Sequence, residues 1–253
     1  MEAEKDNPGD IESVAERPSA DQGVEELNMS ESDSESESEI FNEKLIKAAK
    51  SGDHEGVSRA LEEGAEITFR ASDGDTGLHM GAMYGHDSVV KTFLEAGIDI
   101  NIRDGASFKW TALINAAAWD KISCLKILLD NGADPDIKDE KKGQTALMYA
   151  ALQNYPDIIA ELLLKGADDK ILNDAGQNAV QIAQEGNNED ARHILESWGD
   201  QKTLNRELLT AAIKGKARFV YGLLRAGADV LATDEEGRTG ISLLTLSFSC
   251  PYL

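Results

Sequence analysis

The chain has 253 residues and a formal net charge of −22, and 14 acidic against 2 basic side chains lie in residues 1–40. So acidic a molecule offers no net basic field to release counterions, which excludes nucleic acid as an expected partner. Two cysteines, Cys124 and Cys250, are too few for a disulfide framework, the start Met1-Glu2-Ala3-Glu4-Lys5 is no secretory signal, and no run of 18 apolar residues offers a membrane span. The expected compartment is therefore reducing, the cytoplasm or the nucleus.

Residues 1–40 read as an acidic, Ser/Glu-rich leader with too few large apolar side chains to offset the entropy of ordering, and are expected to be disordered. Ser30, Ser32, Ser34 and Ser36 each precede an acidic residue by three positions. This resembles the pattern favoured by acidophilic kinases of the casein kinase 2 type, and each phosphate would add about −1.5 to −2 charge. The plainer reading is a solvating tail.

The first structured unit runs from Glu43 to Ile67. Leu45, Ile46, Ala48 and Ala49 mark one helix, Val57, Ala60 and Leu61 a second, and Ser51-Gly52-Asp53 the turn between. The second unit opens with Thr76-Gly77-Leu78-His79, carries Val89, Val90, Phe93 and Leu94, and closes at Gly97. The third opens with Trp110-Thr111-Ala112-Leu113, carries Ile122, Leu125, Leu128 and Leu129, and closes at Gly132. The fourth opens with Gln144-Thr145-Ala146-Leu147, carries Ile158, Ile159, Leu162 and Leu163, and closes at Gly166. The fifth, Gln177-Asn178-Ala179-Val180 to Gly199, is degenerate. The closing glycines Gly64, Gly97, Gly132, Gly166 and Gly199 are spaced 33, 35, 34 and 33 residues apart. A fixed period of this length predicts a stacked solenoid.

Opening, closing glycine and spacing recur in register, and together they resemble the ankyrin repeat family over about residues 41–244. The resemblance implies an all-α dominated solenoid of helix-turn-helix pairs joined by β-hairpin fingers, with the unit at Glu43 as its N-terminal cap. The sequence departs from the family at Gly77, Ala112 and Ala146, which stand where proline is usual. The resemblance gives His79 and His86 structural roles.

The period breaks after Trp198, since only 28 residues separate Gly199 from the next closing glycine, Gly227. Glu207-Leu208-Leu209-Thr210-Ala211-Ala212 looks like a second capping start. The expected domains are thus the leader 1–40, the array 41–199, a second short sub-array 200–246 and a tail 247–253. Gly237-Arg238-Thr239-Gly240 opens a further repeat whose second helix is missing. A half repeat cannot bury its own apolar face, so the chain reads as a truncated isoform or fragment of a longer protein; alternatively Leu243, Leu244 and Leu246 pack on Leu223 and Leu224 as an improvised cap.

No catalytic, metal or cofactor site is expected. Nucleophile elbow, phosphate loop and zinc-ligand spacing are all missing from the sequence. Asp73-Gly74-Asp75 starts like a calcium loop, but the twelfth position is Tyr84, not the required glutamate.

Binding is expected instead, on the family's usual surfaces: finger tips and the ends of inner helices. These positions give Met83, Tyr84, Trp119 and Leu152 from the helix ends, and Arg103, Phe108, Trp110, Lys138, Lys141 and Lys142 from the fingers. Aromatic side chains are favoured hot spots, although Trp110 and Phe108 are equally readable as packing between fingers. The finger cations suit an acidic partner peptide, or the protein's own leader in cis. The expected function is an intracellular scaffold or adaptor that binds a protein partner. The alternative is a regulatory or targeting subunit that positions or inhibits an enzyme.

Overall fold

The computed structural model describes residues 37–234, 236–240 and 242. Ser30, Ser32, Ser34 and Ser36 with most of the leader, the apolar run 243–248 and the tail lie outside the described residues. Among the described residues, twelve helices form in pairs: α1 (Glu37–Ser51) with α2 (His54–Glu62), α3 (Gly77–Tyr84) with α4 (Asp87–Glu95), α5 (Ala112–Ala118) with α6 (Ile122–Asp130), α7 (Ala146–Leu152) with α8 (Pro156–Leu164), α9 (Ala179–Glu185) with α10 (Glu189–Ser197), and α11 (Gln201–Ile213) with α12 (Ala217–Arg225). Residues 37–40, expected in the leader, are instead the first turn of α1.

The opening threonines become N-caps. Thr111 and Thr145 accept hydrogen bonds from the backbone N–H groups of Ile114 and Met148, and Asn178 does the same for Gln181. Each satisfies a donor that the first helical turn leaves orphaned. In the first full repeat a histidine extends the device. His79 Nε2 donates to the Trp110 carbonyl at 3.1 Å, which leaves Nδ1 to accept from the Thr76 hydroxyl at 2.8 Å. One buried ring thus ties a repeat to the next finger.

The turn inside each pair uses a left-handed residue at the same place: Gly52, Gly85, Asp120, Asn154, Asn187 and Gly215. Asn and Asp are the non-glycine residues that tolerate this region best. Gly77, where the family usually has proline, answers to packing instead. A Cβ there would stand 2.1 Å from the Phe93 ring, so the glycine makes room for the largest residue of α4.

The odd-numbered helices α1 to α9 stack as an inner row, and the even-numbered α2 to α10 as an outer row. The core lies between the rows, with Leu45, Leu78, Phe93, Leu113, Leu125, Leu128, Leu147 and Ile158 fully buried. Fingers project between repeats and close by single antiparallel bridges, Arg70 with Thr76 and Arg103 with Thr111. They are also tied to one another: the Asn101 side chain accepts from the Asp134 N–H at 3.0 Å, and Asp136 from the Asp168 N–H at 2.9 Å.

The last pair does not continue this stack. α11 packs on α10 and α12 rather than on α9, and α12 lies along the outer helix α8. The pair nevertheless shares a tie with the first pair. Asn42 of α1 accepts from the Glu66 N–H, and Asn205 of α11 from the Asp229 N–H, both at 2.7 Å. Two starts of one design therefore occur in the chain, one leading the array and one folded back on it.

Candidate partner-binding surface

Tyr84 and Trp119 occupy corresponding places at the C-terminal ends of the inner helices α3 and α5, whereas Leu152, the last residue of α7, stands one place earlier in its repeat, where α3 has Met83. Tyr84 is 44% exposed, with its ring 6.1 Å from that of His86. Trp119 and Leu152 are half-buried. The helices that carry them, α3, α5 and α7, stack in succession in the inner row. Met83 does not join them: it is buried in the core, because its neighbours along α3 leave only the last residue of the helix outside.

Trp110 is likewise a core residue, 2% exposed, and this corrects its expected place on a binding face. Its indole meets Tyr149 edge-on with centroids 4.8 Å apart, and Nε1 donates to the Tyr149 hydroxyl at 3.2 Å. That hydroxyl donates to Asp139 at 3.0 Å. Asp139 also accepts from the backbone N–H groups of Lys141, Lys142 and Gln144. Two successive fingers and the inner helix α7 are thus locked by one chain of hydrogen bonds. Burial, and then the neighbouring Asp139 charge, push the Tyr149 phenol well above its ordinary value. Sequence reasoning missed this network. The available signal was a lone tyrosine at a position that holds Met80, Asn115 and Ile182 in the other repeats.

Phe108 is half-buried, its ring 5.5 Å from Trp110 and under the Lys141 ammonium at 4.1 Å. Of the expected finger cations, two brace neighbouring fingers. The Arg103 guanidinium donates to the carbonyls of Lys109 and Lys138 at 3.1 and 2.8 Å, and Lys138 Nζ to that of Leu172 at 2.7 Å. Their positive charge still lies along the finger row, where Lys138 and Lys141 are exposed and Lys142 half-buried.

Among the described residues no three or more His, Cys, Asp or Glu side chains gather as a metal site, and no helix is long and apolar enough to cross a membrane. Cys124 is buried, with Sγ 3.0 Å from Asp87 Oδ1. Desolvation and then Asp87 push its thiol far up, which holds it protonated and poorly nucleophilic.

The family model for ankyrin repeats (3 copies) matches residues 20–104, 45–139, 101–172 and 147–234. The chain is 34% identical over 146 residues to a mitochondrial disaggregase of Bos taurus, covering 56% of this chain and 21% of that protein. It is 30% identical over 206 residues to the ankyrin repeat and KH domain-containing protein mask-1 of Caenorhabditis elegans, covering 78% and 8%. It is 41% identical over 80 residues to protein phosphatase 1 regulatory subunit 12A of Mus musculus, covering 32% and 8%. The chain therefore spans at most about a fifth of the length of these relatives. The matches run through the capped helix pairs, left-handed turns and closing glycines described above, and the chain belongs to the ankyrin repeat family.

Proposed function

We propose that the chain is a non-enzymatic scaffold or adaptor that holds a protein partner along the inner-helix edge of its array, in the cytoplasm or nucleus. The observation that carries this reading is that Tyr84, Trp119 and Leu152 all stand at the ends of successively stacked inner helices and outside the core, with Tyr84 left 44% exposed at the end of an otherwise buried helix. A large aromatic held outside by a rigid scaffold loses little entropy on binding and anchors a partner well. Phe108 with Lys141, and the cations Arg103, Lys138 and Lys142, extend the surface along the fingers and favour a partner with acidic side chains. The protein's own leader is such a segment.

A second reading, a regulatory or targeting subunit, is favoured by the match to a relative named as a phosphatase regulatory subunit. In both readings the surface binds a protein and the chemistry belongs elsewhere.

The test is affinity capture from native lysate with the whole chain as one bait and a Tyr84→Ala/Trp119→Ala chain as the other. Retention by the first alone, with both chains melting alike, supports the edge as the site. Equal retention by both removes it. An enzyme among the specifically retained proteins, with its activity changed by the chain, selects the regulatory reading.

A further inference from the structure

We propose that the outer face of α6 and α8 is a helix-docking site, filled in cis by α12 and able to accept the same helix in trans. The site reads two guanidinium groups seven residues apart, Arg218 and Arg225, with a small residue, Gly222, between them.

An outer helix of a solenoid normally keeps one face in water, and charged residues fill it. α4 does so with exposed Lys91 and Glu95. α8 does not: every residue from Pro156 to Leu163 is buried, including Asp157 and Glu161, and Glu161 is 2% exposed. Buried carboxylates on an outer face require partners. The partners come mostly from α12. Arg225 Nε and Nη2 donate to Glu161 Oε2 at 3.1 and 2.6 Å, with Lys126 Nζ of α6 adding its charge at 3.8 Å. Arg218 Nε donates to Asp157 at 2.7 Å, and its two terminal nitrogens grip both oxygens of Asp120. The Arg218 guanidinium also lies over the Tyr155 ring at 4.5 Å. A planar fork that is both bidentate and stacked is a specific contact, which lysine could not reproduce.

The backbones are shaped for this approach as well. Ala160, fully buried, stands where the preceding outer helices have Lys91 and Lys126. Opposite, a Cβ on Gly222 would lie 2.9 Å from the Pro156 carbonyl oxygen. Small residues on both sides let the helices close on each other. Tyr221 completes the register, its hydroxyl accepting from Lys126 Nζ at 2.8 Å.

The occupant is built to leave. It joins the array through Trp198-Gly199-Asp200, and Gly199 is left-handed with nothing within 4 Å of a Cβ. α11 takes no place in the inner row; the pair buries Leu204, Leu208, Phe219, Val220 and Leu223 and adds polar ties to α6, α8 and α10, with the ion pair of Lys216 and Asp190 at 2.6 Å and His193 3.1 Å from Glu207 joining those above. Charge pairs at a partly wet surface weaken with salt, since the Debye length is about 8 Å at physiological ionic strength.

The experiment uses the full chain with Arg218→Glu/Arg225→Glu, and a fluorescent synthetic peptide of residues 212–228 as probe. Hydrogen exchange is expected to rise in α12 while α3 to α7 keep their protection. Anisotropy is expected to show the peptide binding the opened chain at least about tenfold more tightly than the wild type, where the cis helix competes. Binding should fall with added salt and be lost with Asp157→Asn/Glu161→Gln in the chain, or with both arginines of the peptide changed to glutamine. If the charge reversal melts without cooperativity, Arg218→Gln/Arg225→Gln supplies the opened chain for the same titration. The proposal is overturned if α12 stays protected in the opened chain, if a released α12 leaves no peptide binding, or if binding ignores Asp157 and Glu161.

Discussion

The helix pairs α3–α8 and the pair α11–α12 share the same turn and the same closing glycine, yet the balance of forces that holds them differs. In the stack, inner helices buried on all sides meet through Leu, Ile, Met and Ala, and the polar groups within are tied in short chains such as Trp110–Tyr149–Asp139. In the terminal pair, buried Leu204, Leu208, Phe219 and Leu223 are supplemented by guanidinium groups that meet carboxylates on the flank of the stack. Apolar stacking depends on contact area and is insensitive to ionic strength, whereas paired charges depend on who the partner is and on the medium. One repeat sequence can therefore serve as permanent core or as a selective attachment, according to what lies on its outer face.

The comparison breaks most severely at Trp110. Truncation to alanine removes the largest fully buried side chain and leaves Tyr149 without its donor. We expect a loss of about 3–5 kcal/mol in urea unfolding, felt across the stack. A loss under about 1 kcal/mol would mean that the finger collapses into the space and that the network is dispensable.

Tyr149→Phe separates the network from the packing. It keeps the ring and removes only the hydroxyl, taking an acceptor from the Trp110 indole N–H and one of the donors from Asp139, for an expected loss of about 1–3 kcal/mol. It also carries a pH signature. The folded phenol is held above the ordinary value of 10.0, so the unfolded chain ionises first as pH rises. The folded state then binds more protons than the unfolded, and stability falls above about pH 10. Melts of the wild type between pH 9 and 11 should show that slope, and Tyr149→Phe should make it shallower, with the raised Cys124 thiol and Tyr155 phenol carrying the rest. Parallel curves would mean that Tyr149 does not carry it.

Much of the stack was legible in the sequence because its elements are local. Threonine at an N-cap, glycine after a helix and an apolar stripe each act within a few residues, and Thr111, Thr145 and Gly132 stand where the pattern puts them. Of the candidate surface, Tyr84 and Trp119 were legible, as last-turn positions of inner helices. Trp110 was not, because an aromatic in a finger serves packing and recognition equally well, and only the distant Tyr149 decides between them. The position of α12 was also hidden. The repeat register predicts stacking on the next neighbour, and the pairs that override it join residues 98 and 64 positions apart. Ala160 in place of a lysine, and Gly222 inside a helix, were the faint local traces.

Asn115 shows the stack's tolerance for a mismatch. It is fully buried in α5, and neither its Oδ1 nor its Nδ2 has a hydrogen-bond partner among the described residues. Asn115→Leu keeps the branched outline and removes the unmet polar atoms. A gain of about 1–2 kcal/mol in thermal or urea unfolding is expected. Destabilisation would show instead that the amide is satisfied by water or that the extra methyl volume overpacks the inner row.

The smallest change draws the sharpest line between the two regions. Asp120 and Asn187 fill the same left-handed turn position, with φ of 59° and 55°. Backbone strain alone makes glycine neutral or slightly favourable at both, within about 0.5 kcal/mol. Asn187→Gly should therefore leave unfolding and the exchange of α12 as they were. Asp120→Gly relieves the same strain but takes the carboxylate from Arg218, so its stack should melt unchanged while α12 exchanges faster, and more so at low salt, where the lost attraction was strongest. Equal exchange in the two variants would mean that Ala160 and Gly222 hold the last helix by contact alone, and that the pair α11–α12 belongs, energetically, to the stack.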